Sequence, residues 1–78
     1  MTLQQRIKKI FSKNNINHQW DCNENKQQVY VSIFDGDWKH DHLFLKRLMG
    51  QKGFDCVDEY ITSTDSDCYD CEYTFQLN

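Results

Sequence analysis

The stretch Gln27-Gln28-Val29-Tyr30-Val31-Ser32-Ile33-Phe34-Asp35-Gly36-Asp37-Trp38 decides how this chain folds. From Gln27 to Phe34 it is rich in β-branched and aromatic residues, which predicts a strand. Asp35-Gly36-Asp37 ends that run, and Asp37 is the residue type that caps the start of a helix. A strand-to-helix switch therefore falls near the middle of the chain. Tyr30 and Phe34 share one face of the strand, while Val29, Val31 and Ile33 share the other. The alternation leaves open which face is buried.

Working backwards, His18, Trp20 and Cys22 alternate with polar residues, and Asn23 to Lys26 is polar, so the segment pairs with Gln27–Phe34 as a hairpin. Before it, Thr2 and Gln5 have the spacing of a capping box, and Leu3, Ile7, Ile10 and Phe11 line one helical face. A helix is expected over about residues 3–13, with Asn14 and Asn15 as terminators. Working forwards, Trp38 to Met49 reads as a second helix with Trp38, Leu45, Leu48 and Met49 on one side, closed by Gly50 and Gly53. Phe54–Thr62 and Cys68–Leu77 read as two more strands, joined by the polar segment Ser63 to Asp67. The order is α-β-β-α-β-β. It predicts a single α+β domain over residues 1–78: a four-stranded antiparallel sheet with two helices packed on one face. Trp20-Asp21-Cys22 and Phe54-Asp55-Cys56 occupy matching points in the two helix–hairpin units, as an internal repeat would place them.

A chain of 78 residues builds a thin core, and folds of this size often recruit a metal, a disulfide or a partner. No run has the length and apolarity of a signal peptide or a membrane span, so the expected location is the cytosol, where Cys22, Cys56, Cys68 and Cys71 stay reduced. If each element crosses the sheet once, the end of the first helix, the connection between the two units, the loop from Ser63 to Asp67 and the start of the last strand meet at one rim. That rim collects Asp35, Asp37, His40, Asp41, His42, Cys68 and Cys71, with His18 beside them. Thiolate and imidazole together suit zinc. The expected ligands of a structural zinc ion are His40, His42, Cys68 and Cys71, with Asp37 and His18 as alternates. The other reading of these residues is a solvated helix start beside an exposed thiol.

The net charge of −3 conceals an asymmetry. Residues 1–52 hold all nine Lys and Arg and sum to +4, whereas residues 53–78 hold seven acids and no Lys or Arg. Asp55, Asp58, Glu59, Asp65, Asp67, Asp70 and Glu72 would present an acidic face that repels nucleic acid and attracts basic surfaces, and neither nucleic acid nor a membrane is an expected partner. The bland alternative is a solubility surface. No Gly-rich phosphate loop or nucleophile elbow is present, so an enzyme is not expected. The sharpest enzymatic alternative is a small metal-dependent nuclease built on Asp35, Asp37, Asp41 and the histidines His18, His40 and His42.

In size, acidity and lack of catalytic motifs the whole chain resembles small phage-encoded anti-CRISPR proteins. That resemblance implies stoichiometric inhibition of a CRISPR effector nuclease, most simply of type II. An acidic surface would occupy the basic channel such effectors use for nucleic acid, and block target DNA loading. The competing expectation is a metal-stapled interaction module of a mobile element unrelated to defence.

Overall fold

The structure is a computed structural model that describes residues 1–64 and 67–78. Helix α1 spans Leu3–Lys13, strand β1 Gln19–Asn23 and strand β2 Gln28–Asp37. A π-helical turn, Trp38–Leu43, leads into helix α2, Phe44–Gln51, followed by strands β3, Phe54–Ser63, and β4, Cys68–Leu77. The sheet is antiparallel throughout, in the order β1-β2-β4-β3. The expected α+β fold is present. The central strands β2 and β4 come one from each helix–hairpin unit, and β1 and β3 form the two edges.

Local chemistry explains the first helix. The Thr2 hydroxyl accepts from the Gln5 N–H, and the Gln5 side chain accepts from the Thr2 N–H, completing the capping box. Glu24 adds a long-range cap from the β1–β2 turn: its carboxylate accepts from the N–H groups of Leu3 (3.0 Å) and Gln4 (2.9 Å). The helix ends at Asn14, and Asn15 takes φ 55°, a conformation Asn tolerates.

The core lies on one side of the sheet. Leu3, Ile7, Ile10 and Phe11 of α1 and Leu45, Leu48 and Met49 of α2 pack over Val29, Val31 and Ile33 of β2, Cys71, Tyr73 and Phe75 of β4, and Phe54 of β3. A fully buried side chain of this kind contributes about 1.5–3 kcal/mol, and packing against both helices directs the valine face inward. Tyr30 and Phe34 consequently face outwards, on a side that no helix covers.

The π-helical turn differs from the regular helix start expected at Trp38. Asp37 caps it, accepting from the His40 N–H at 2.8 Å, and the Asp41 carboxylate accepts from the Asp37 N–H at 2.8 Å. The wide turn carries His42 inward. Strand β2 meanwhile continues to Asp37 through a bulge between Ile33 and Gly36, with Asp35 at φ 53°. Gly36 is required at this junction: a Cβ there would stand 2.4 Å from Ile33 Cγ2 and 3.2 Å from His42 Nε2.

Three groups make folding pH-dependent in the same direction. Backbone N–H donors hold the Glu24 carboxyl below its usual range, with Gln4 the larger cause, and the His40 N–H does the same for Asp37. Burial lowers the His18 pKa from 6.5, partly opposed by the charge of Asp41. A depressed folded-state pKa means that the stabilisation is complete above the unfolded value and lost as pH falls through the folded one. Melting temperature is therefore expected to decline first as pH drops below 6.5, and again below the carboxylate value of 4.5. Thermal melts across pH check this. Glu24→Gln should shrink the lower step and leave the upper one intact.

Candidate functional site

The rim predicted to gather metal-ligand residues does gather them, but in structural roles. His42 is fully buried. Its Nε2 lies 2.9 Å from the Tyr69 carbonyl, which can only accept, so Nε2 carries a hydrogen. Its Nδ1 lies 2.7 Å from the Tyr73 hydroxyl. Burial, followed by the Cys71 thiol, pushes the Tyr73 phenol far above its ordinary pKa and keeps the hydroxyl protonated. Trp38 stacks on the imidazole at 5.6 Å, and the Tyr69 ring meets both edge-on. Both nitrogens of His42 are thus taken by the protein.

The remaining expected ligands do not converge. His40 is exposed on the π-helical turn. Cys68 and Cys71 are three residues apart in a strand, so they stand on opposite faces of the sheet: Cys68 is half-buried on the open side, and Cys71 is in the core. The C-x-x-C spacing brings thiols together in a tight turn and separates them in a strand. The alternates behave similarly. Asp37 is the cap described above, and His18 is half-buried near Asp41 and His42. Among the described residues no three His, Cys, Asp or Glu side chains form a group fit to hold a metal ion. The carboxylates of the nuclease alternative also have local work. Asp35 accepts from the Thr64 hydroxyl at 2.8 Å, and Asp37 and Asp41 cap backbone N–H groups.

The other concentration of chemistry is the open face of the sheet. Cross-strand register defines its membership, because paired residues share a face. From β1 come Gln19 and Asp21. From β2 come Tyr30, Ser32 and Phe34, and from β4 Asp70, Glu72 and Thr74. From β3 come Asp55, Asp58, Tyr60 and Thr62. Among the described residues this surface presents five carboxylates, Asp21, Asp55, Asp58, Asp70 and Glu72, besides Asp37 at its rim, which is engaged as the cap, and no Lys or Arg. Three aromatic rings stand among them: Tyr30 is 36% exposed, Phe34 61% and Tyr60 72%.

The seven acids expected to bind a partner divide accordingly. Asp55, Asp58, Asp70 and Glu72 are on the open face. Glu59 projects to the other side and pairs with Lys46 at 3.0 Å, the one ion pair among the described residues. Asp67 is exposed at the rim, where its carbonyl accepts from the Trp38 N–H. Asp65 lies outside the described residues. Asp21 belongs to the face although it comes from the basic part of the chain. Only the pairing Asp21↔Tyr30 reveals it.

On the edge strands, Cys22 is half-buried against the core, whereas Cys56 is exposed. Burial raises both thiol pKa values, which keeps them in the poorly reactive protonated form.

No described helix is long and apolar enough to cross a membrane. Compared with protein-family models, curated proteins and solved structures, the chain finds no match, and the reading of its function rests on the geometry of this open face.

Proposed function

We propose that the chain is a binding protein that sets the open face of its sheet against a basic surface of a nucleic-acid-handling protein and keeps nucleic acid away from it. The observation that carries this reading is the uncovered face itself, with five carboxylates, three exposed aromatic rings and no cation. Self-repulsion among carboxylates costs stability. Phe34, 61% exposed, forgoes a large part of the burial that is worth about 1.5–3 kcal/mol in full for a Phe. A partner supplying cations and apolar surface relieves both.

Aromatic residues amid polar ones are also what protein-binding surfaces are built from. Basic channels that hold nucleic acid present the complementary field, because neutralising phosphates requires clustered Lys and Arg. The resemblance to anti-CRISPR proteins narrows the partner to an RNA-guided effector, in the first instance of type II.

Competition is the test. A guide-loaded type II effector is mixed with labelled target DNA and increasing amounts of the protein, and DNA binding is followed by fluorescence anisotropy. The expected result is loss of binding that is complete near equimolar protein and weakened by added salt. Unchanged DNA binding, with no complex detected by size-exclusion chromatography, would exclude this partner class.

A further inference from the structure

On the open face, β2 and β3 rise on either side of β4 and enclose a hollow of about 210 Å³. Phe34, Tyr60 and Thr62 line it, and Asp70 and Glu72 contribute carboxylates. We infer that this hollow is an arginine-binding site, taking a guanidinium group from the partner against the aromatic rings and onto the carboxylates. The inference rests on the proposed function and names the side chain that the face selects.

Each part of the hollow restricts the ligand. Asp70 and Glu72 demand a cation, and neither has an ion-pair partner among the described residues. Asp70 is held in place because its Oδ1 accepts from the Asp35 N–H at 2.6 Å. The rings demand something more than charge. Lysine ends in a compact, strongly hydrated ammonium, which gains little from leaving water for an aromatic surface. Guanidinium is planar and weakly hydrated, stacks on aromatic faces, and binds a carboxylate through two parallel N–H donors. A site offering rings and carboxylates together is matched by that group. The pattern continues next door. A second hollow of about 390 Å³ shares Phe34 and Glu72 and adds Tyr30 and Asp21, so two arginines could be seated side by side across the Phe34 ring.

The experiment titrates the isotope-labelled full chain with N-acetyl-arginine amide and, separately, with N-acetyl-lysine amide, followed by NMR. The arginine probe is expected to give saturable shifts centred on Phe34, Tyr60 and Glu72, with at least about fivefold tighter binding than the lysine probe. Tyr60→Ala, at a position 72% exposed where truncation is expected to change stability little, should reduce arginine to the lysine level. Equal responses to the two probes, spread over all the acids and removed by salt, would overturn the arginine site while leaving the effector competition standing. No response to either probe would overturn it as well. The competition result and the arginine preference therefore fail separately.

Discussion

Replacing His42 with alanine is expected to lower the unfolding free energy by about 3–5 kcal/mol. The imidazole is fully enclosed and satisfies two buried groups, the Tyr69 carbonyl and the Tyr73 hydroxyl. Deleting it strands both, at about 1–3 kcal/mol each, and leaves a cavity beneath Trp38 that adds to the loss. A domain of this length has a total stability of about 4–12 kcal/mol. The variant should therefore melt on the order of 15–30 °C below the parent protein, or fail to fold at room temperature. His40→Ala is the comparison. His40 is exposed, and its backbone N–H, which alanine keeps, makes the bond to Asp37. Its melting temperature should barely move, within about 0.5 kcal/mol. Urea and thermal unfolding monitored by circular dichroism check both. Equal losses for the two variants, accompanied by a fall in stability when the parent protein is treated with a chelator, would restore the metal reading and overturn the packing role.

Reversing the charge of the open face is expected to have the second large effect. Asp55→Lys, Asp58→Lys and Glu72→Lys together should weaken effector binding by at least about 100-fold at low salt. They exchange attraction for repulsion in the middle of the proposed contact. The remaining affinity should also lose most of its salt dependence, because fewer opposed charges are left to screen. Glu59→Lys is the control that gives the prediction its geometry. Glu59 neighbours Asp58 in sequence but projects to the other face and pairs with Lys46. Its reversal should cost little affinity, although the net charge changes by the same amount as any single reversal in the set. Anisotropy competition over a salt series measures all of these. If Glu59→Lys is as damaging as a single reversal on the open face, the interaction senses net charge and no particular face makes the contact.

Much of this arrangement was legible in the residues, and the rest was hidden for identifiable reasons. The capping box at Thr2 and Gln5, the period-two run from Cys71 to Leu77, and the strand-to-helix switch after Phe34 are local signals, and each element they predict is present. The acidity of Asp55, Asp58, Asp70 and Glu72 was equally plain. The open side of β2 was not, because both of its faces are apolar or aromatic and only tertiary packing chooses between them.

Asp21 stayed hidden because its membership depends on cross-strand register. The expected metal ligands stand apart for a reason of period. The residues of Cys68-Tyr69-Asp70-Cys71 converge in a turn and diverge in a strand, and the expected strand already contained the answer. His42 was misread for a different reason. No residue type announces a π-helical turn, and it is that turn, with the space left by Gly36, that carries the ring into the core.

Strand β3 has a consequence of another kind. It is ten residues long, pairs with β4 on one side only, and is exposed from Asp55 to Ser63. Such a strand is a template on which a second chain could extend the sheet, the first step towards aggregation. Asp55, Asp58 and Glu59 place negative charge along it, and the irregularity between Cys56 and Asp58 interrupts the ladder that an incoming strand would need to match. The carboxylates proposed to meet a basic partner therefore also hold identical copies apart. Self-assembly should be favoured where net charge vanishes, near the isoelectric point of about 5.4.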